Sequence, residues 1–318
     1  MKIAVQVSSL GQRCGIYTYA SRLNKYLNEK DDVESFMFAS KPTQDFDVIS
    51  MQYEPGLNPP QFMAEFINKN EEPIIVTAHH LRNLKNFYPA LDGVVLHAED
   101  QYQTEEDEPW DYEVVPHPAL VFEKKDKEEL KDKFGLPKDK TIIGTAGFIA
   151  GTVKNLPILL EEILPKLKDD EFLYFATSMW KGGDMGNKKV ILDKVKEYGK
   201  EDNFKIDTGF VDDKTLNEKL QACDLLFAWN ALNIPGSQSG IAADMYGSRT
   251  KMIVKDSQHY SFIGSQDKVL VGRPEPKDFI EDVLNTARNE DLTDTQDPEW
   301  LSWQKQIDNY IAYFEDFI

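Results

Sequence analysis

The stretch Phe227-Ala-Trp-Asn-Ala-Leu-Asn-Ile-Pro-Gly-Ser-Gln-Ser-Gly-Ile-Ala-Ala-Asp-Met-Tyr-Gly-Ser-Arg-Thr-Lys-Met-Ile-Val254 decides how this chain is read. The apolar run from Asp224 to Trp229 predicts a buried strand, which gives way to a loop of small residues. A helix is expected to start at Ser239-Gly240, and Lys251 to Val254 returns as a second strand. Small residues at a helix start let backbone N–H groups approach a ligand, and the helix dipole favours negative charge there. About one turn further in, Asp244 puts a carboxylate near the same mouth. A phosphate seat beside a hydroxyl-binding acid is the arrangement a nucleotide needs.

The same alternation runs through the whole chain. In the first half, strands are expected at Lys2–Ser8, Val33–Ala39, Val48–Gln52, Pro73–Ala78, Gly93–His97 and Tyr112–Pro116. Helical patterns fall between them at Ile16–Glu29, Pro60–Asn70 and Leu81–Ala90. A Lys/Glu/Asp-rich helix over Asp126–Phe134 stops at Gly135 and is followed by Pro137, which reads as a charged linker. A second series then begins. Strand Thr141–Gly147 leads to helix Lys154–Leu167, strand Glu171–Ser178 to helix Lys188–Tyr198, and strand Phe204–Phe210 to helix Lys214–Cys223. Short apolar runs alternating with helices argue for parallel sheets covered on both faces. The expected fold is therefore α/β with two doubly wound, Rossmann-like domains facing a cleft. The first domain spans 1–135, with the terminal helix 298–318 packing back on it; the second spans 136–297.

Composition narrows the function classes. At 318 residues the chain is too long for one ordinary domain, so two cores are expected. The N-terminus reads as a first strand, no segment approaches a membrane-spanning length, and Cys14 and Cys223 have no metal-like spacing. A reduced, cytoplasmic protein without integral membrane association fits these features. A formal charge of −19 disfavours unspecific binding to nucleic acid or anionic lipid. Runs such as Glu105-Glu106-Asp107-Glu108 read as solvated surface.

At this level the chain resembles the GT-B fold glycosyltransferases, and among them glycosyltransferase family 4. Cys14-Gly15-Ile16-Tyr17-Thr18-Tyr19 is similar to the family's glycine-containing loop between the first strand and the first helix. Val76-Thr77-Ala78-His79 stands at its strand ending in histidine, and Val115-Pro116-His117-Pro118 resembles the segment before the interdomain linker. Gly144 to Gly147 followed by Lys154-Asn155 is similar to the glycine strand and the lysine that reaches the donor diphosphate. Thr208-Gly209-Phe210-Val211 resembles the base-binding turn, and Ser239-Gly240 through Asp244 the donor-phosphate helix.

The departures are specific. Of two family glutamates eight positions apart, Asp244 stands at the second position and Gly236 at the first. Arg249 and Lys251 replace a Gly and a Pro. Phe148 replaces a basic residue that usually accompanies the lysine, a charge that Lys181 is placed to supply from a neighbouring loop. The resemblance implies transfer of a hexosyl or pentosyl unit from a nucleoside-diphosphate sugar to an acceptor hydroxyl. It also implies retention, no metal, and no cofactor beyond the nucleotide sugar. His79 and Lys154 are implied as catalytic. Gly15, Gly147, Lys154, Lys181, Phe210, Val211, Ser239, Gly240 and Asp244 are implied as donor-binding. A cation at a helix start is disfavoured by the dipole, so an expected helix-start Lys154 points to an anion.

Two rival readings stand beside transfer. One is a nucleotide-sugar-binding protein without catalysis, in line with the missing glutamate. The other is an epimerase or hydrolase of the same fold, with His79, Glu99 and His117 about the anomeric carbon. The acceptor is open among a small molecule, a protein and a modified polynucleotide, since the aromatic residues Tyr53, Phe87, Tyr88, Tyr102 and Trp110 form no diagnostic pattern. Two domains joined by one linker and one returning helix are expected to move on donor binding.

Overall fold

The computed structural model describes residues 1–12, 14–101, 111–149, 151–179, 185–266, 268–289 and 297–318. The chain forms two compact units, Met1–Pro118 with Ile234–Gln238 and Trp300–Ile318, and Ala119–Asn233 with Ser239–Glu299.

In the first unit a parallel sheet is built from β1 (Lys2–Gln6), β2 (Glu34–Phe38), β3 (Val48–Tyr53), β4 (Ile74–Ala78), β5 (Gly93–Leu96) and β6 (Glu113–Val114). The strand order is β2-β1-β3-β4-β5-β6. Every residue of β3, β4 and β5 is buried, as a sheet covered on both faces requires. Helices α1 (Gly15–Leu27) and α2 (Pro60–Lys69) provide part of that cover. The Cys14 thiol caps α1 by accepting from the Tyr17 N–H, and Pro60 opens α2, where its missing N–H costs nothing.

The segment Leu81–Ala90, expected to be helical, folds as two short 3₁₀ turns, Leu84–Asn86 and Tyr88–Ala90. Asn83 in the left-handed region and Pro89 in the second turn interrupt the ladder an α-helix would need.

The second unit holds α3 (Lys127–Phe134), then β7 (Thr141–Phe148), α4 (Gly151–Lys154) and α5 (Leu156–Ile163). These are followed by β8 (Glu171–Ser178), α6 (Met185–Glu197), β9 (Phe204–Asp207), α7 (Asp213–Gln221) and β10 (Leu225–Ala228). The opening stretch supplies α8 (Gly240–Gly247) and β11 (Met252–Lys255), before α9 (Ser261–Gly264), β12 (Val269–Gly272) and α10 (Pro276–Ala287). Its sheet is also parallel, in the order β12-β11-β10-β7-β8-β9. The order reverses between β7 and β10, which is where open α/β sheets leave a crevice outside their strand ends.

The division between the units falls at Pro118, and the charged helix α3 is bound into the second unit. Glu218, nearly fully buried on α7, accepts from both Lys125 and Lys133. Asp224 holds Lys127 at 3.0 Å and Lys131 at 3.1 Å. These contacts keep both carboxyls below the usual carboxylate range, so the segment's lysines serve as counter-charges for one buried and one half-buried acid.

The chain returns to the first unit as α11 (Trp303–Glu315). It begins later than the 298–318 pattern implies, because Ser302 caps it and Glu299–Leu301 forms a 3₁₀ turn. Trp303, Ile307, Tyr310 and Phe314 are fully buried, while Trp300, in the 3₁₀ turn ahead of the helix, is 40% exposed.

Candidate functional site

The strand ends beside the crevice of the second unit carry an unusual grouping. Gly147, near the end of β7, has φ +102, and a Cβ added there would lie 2.9 Å from the Lys154 ammonium and 3.4 Å from Ile241. Lys154 and the Ile241 side chain, in the first turn of α8, therefore both flank Gly147. Ser239 caps that helix through its side chain, leaving the Gly240 and Ile241 N–H groups to open it. No carboxylate balances the cation among the described residues. Its Nζ donates to the Ala146 carbonyl at 2.6 Å, and desolvation alone lowers its pKa to about 8.

Lys154 does not start a long helix. It ends the single turn α4, and the chain reverses at Asn155 (φ +40) before α5, with Pro157 in its first turn. The dipole argument for a helix-start lysine is therefore replaced by a geometric one. Two backbone clamps hold the turn. The Trp229 indole N–H donates to the Lys154 carbonyl at 2.9 Å, and the Ala231 N–H to the Val153 carbonyl at 2.8 Å. Trp229 and Ala231 follow β10, so both sides of the crevice set the position of one ammonium.

Gly147→Ala should cost about 1–3 kcal/mol of stability, because an L residue is strained at that φ and its methyl would meet the ammonium. Urea denaturation of the variant measures this directly, and wild-type stability would show that the turn relaxes freely.

Phe210 stands 44% exposed after β9, its ring facing that of Phe148 at 6.5 Å between centroids and 28° between planes. Val211 follows it, half-buried. Lys181 lies outside the described residues, as do Tyr102, Trp110 and the acidic run 105–108. Asp244 is buried, and its Oδ1 accepts from the Leu120 N–H at 3.1 Å, so one carboxylate oxygen anchors the segment entering the second unit.

In the first unit, Gly15 is the first residue of α1, with open space around its α-carbon. His79 follows β4 and joins a cluster that sequence spacing alone does not reveal. The Tyr19 ring lies 4.6 Å from His79, 5.4 Å from His97 and 4.9 Å from His117. The Tyr19 hydroxyl bonds that of Tyr310. His97 donates from Nδ1 to the Val115 carbonyl at 3.0 Å, and its buried Nε2 has no hydrogen-bond partner among the described residues. Burial pushes all three imidazoles down, His97 to about 4. They are neutral at pH 7. Among the described residues no set of His, Cys, Asp and Glu is placed to hold a metal ion.

The depressed His97 pKa makes stability depend on pH. Between about 6.5 and about 4 the unfolded chain binds a proton that the folded chain does not. Stability is thus complete above about 6.5 and falls as pH drops towards about 4, by on the order of 3 kcal/mol from this group. Denaturant titrations at pH 7 and pH 5 should show the fall, and His97→Gln should reduce its slope.

Gly236, at the position of the absent glutamate, is held by the first unit. It adopts φ +73, its carbonyl accepts from the Leu81 N–H at 3.0 Å, and a Cβ there would meet Leu81 at 3.2 Å. The same carbonyl accepts from the Gln101 side-chain amide at 3.2 Å.

No protein-family model matches the chain, and no curated protein matches it in sequence. Solved structures do. HepE of Anabaena, in complex with UDP and glucose, has a TM-score of 0.75 at 11% identity, covering 99% of this chain and 100% of that one. A glycosyltransferase from Rickettsia africae has a TM-score of 0.74 at 11% identity over 99% and 98%. Sucrose-phosphate synthase from Thermosynechococcus elongatus gives 0.69 at 12% over 100% and 94%.

The chain has the GT-B fold.

Lys154, Gly147, Ser239, Gly240 and Phe210 lie in the second unit, and Gly15 and His79 in the first. Sequence reading assigns no individual role to Trp229, Ile241, Tyr19 and Gln52. The first stands at a strand end and Ile241 in the helix's first turn, which was a usable signal. Tyr19 and Gln52 fall inside a helix and a strand, where sequence shows only core. Among the described residues no helix is long and apolar enough to cross a membrane.

Proposed function

We propose that the chain is a glycosyltransferase that moves a hexosyl or pentosyl unit from a nucleoside-diphosphate sugar to an acceptor hydroxyl, with retention and without a metal. The observation that carries this reading is the meeting of the Lys154 ammonium with the first turn of α8 across Gly147. As the anomeric C–O bond breaks, the departing diphosphate gains negative charge. Groups fixed in advance at that position stabilise the transition state more than the ground state. Lys154 and the Gly240 and Ile241 N–H groups would do so, and the site needs no divalent ion for that task. HepE binds UDP, which favours a uridine nucleotide, with Phe210 and Val211 at the base and Asp244 beside the ribose.

His79 is neutral and half-buried, suited to touch sugar or acceptor hydroxyls. The acceptor hydroxyl would attack from the face of the leaving phosphate, which keeps the anomeric configuration. Its carrier stays within the three classes open from the sequence.

A thermal-shift screen against UDP, GDP and ADP and their common sugars tests the donor site. A ligand at a hundred times its Kd adds about 2.7 kcal/mol to stability. No shift with any of them would overturn the reading. Gly236 in place of a glutamate supports a second reading, nucleotide-sugar binding without transfer. Release of nucleoside diphosphate in the presence of candidate acceptors separates the two.

A further inference from the structure

Gln52 lies on β3, fully buried, one strand away from the His79 it touches. Its amide is oriented by a second contact, since Nε2 donates to the Ser50 hydroxyl at 3.1 Å. That places Oε1 against His79 Nε2, at 3.0 Å. An amide oxygen only accepts, so the proton of a neutral His79 sits on Nε2 and Nδ1 carries a lone pair. Among the described residues no hydrogen-bond partner reaches Nδ1.

We propose that Gln52 is a positioning residue, which locks His79 in the Nε2–H tautomer and so presents Nδ1 as an acceptor to a hydroxyl of the bound sugar or acceptor. This rests on the transfer reading above. The surroundings keep the ring in that state. Tyr19 from α1 packs edge-on to His79, and His97 and His117, from the segments after β5 and β6, lie against Tyr19 in turn. Tyr310 and Trp303 of α11 pack on Tyr19 as well. The charged neighbours are Arg22, which acts on His117, and Glu54, which acts on His80. Neither stabilises an imidazolium at His79, whose pKa burial and His97 both depress. A neutral ring with one fixed proton has a defined hydrogen-bond sense. It accepts from an O–H and rejects a second acceptor, which selects for a hydroxyl at that point.

Nitrogen-15 NMR of the full chain labelled at histidine, without substrate, reads the tautomer directly. The expected result is a proton on Nε2 of His79 and a bare Nδ1 through the neutral range. A proton on Nδ1, or rapid exchange between the two nitrogens, overturns the proposal. Gln52→Met removes the oxygen while keeping volume. It should mix the tautomers and lower kcat roughly tenfold with KM for the nucleotide sugar nearly unchanged. Gln52→Glu places a carboxylate against Nε2–H, so the imidazolium should appear near neutral pH and activity should recover as pH rises above its new pKa. A Met variant with wild-type kcat and an unaltered His79 spectrum overturns the positioning role, whether or not the Glu variant folds. If wild-type protein shows the expected tautomer yet turns over no nucleotide sugar, the transfer reading fails and the tautomer assignment does not.

Discussion

Lys154→Ala should lower kcat/KM for the nucleotide sugar by roughly 30- to 1,000-fold, about 2–4 kcal/mol of transition-state stabilisation. The fold should survive, because among the described residues the side chain bonds only the Ala146 carbonyl. Burial lowers the ammonium's pKa to about 8. The charge is therefore present at pH 7 and lost as pH rises through about 8, so kcat/KM of the wild type should decline over that range. The sign for stability is opposite. From about 8 to the ordinary 10.5 the unfolded chain holds a proton that the folded chain has released, and the fold gains stability as pH rises. Lys154→Arg keeps a charge at every accessible pH and should remove the alkaline decline, whatever it does to the rate. Steady-state kinetics from pH 6 to about 9.5 on the three proteins decide it. A Lys154→Ala enzyme with wild-type kcat/KM would remove the donor site from this edge of the sheet.

The parts of the molecule that sequence makes legible are those in which neighbours along the chain determine structure. The opening stretch is one. Ser239 is a cap, Gly240–Gly247 a helix and Met252–Lys255 a strand, each within a residue or two of its pattern. Where the reading fell short, the deciding contact comes from elsewhere in the chain. A charged helix looked like a linker, yet Glu218 and Asp224, about ninety residues away, bind its lysines. Lys154 looked like a helix start, yet Trp229 and Ala231 clamp it in a separate turn. Tyr19 sits on an apolar helix face like any core aromatic, and only folding shows three histidines around it. Gly236 is the most instructive position. Sequence shows a missing glutamate, while the backbone shows a left-handed residue packed on Leu81, where a larger side chain would be strained.

Truncation after Asp297 should abolish the native first unit. Four side chains of α11, Trp303, Ile307, Tyr310 and Phe314, are fully buried. At about 1.5–3 kcal/mol for each, their burial contributes roughly 6–12 kcal/mol, against a typical total of about 5–15 kcal/mol for a domain. Their partners lie at the centre of the unit. Trp303 stacks on Tyr26 with 5.6 Å between ring centroids and meets Tyr19 edge-on at 5.0 Å. The Tyr310 hydroxyl bonds that of Tyr19, and the Tyr313 hydroxyl accepts from the Val94 N–H at 3.2 Å. Removing α11 would uncover the edge of the histidine cluster as well as apolar surface, since Tyr19 links the two. The truncated chain should aggregate, or bind hydrophobic dye while keeping secondary structure. A milder variant separates packing from loss of the segment. Trp303→Ala should cost about 3–5 kcal/mol in equilibrium denaturation and leave donor binding by the second unit intact. If the truncated protein were monomeric, cooperative in unfolding and fully active, α11 would be a dispensable appendage, and the placement of Tyr19 would have to come from α1 and the sheet alone.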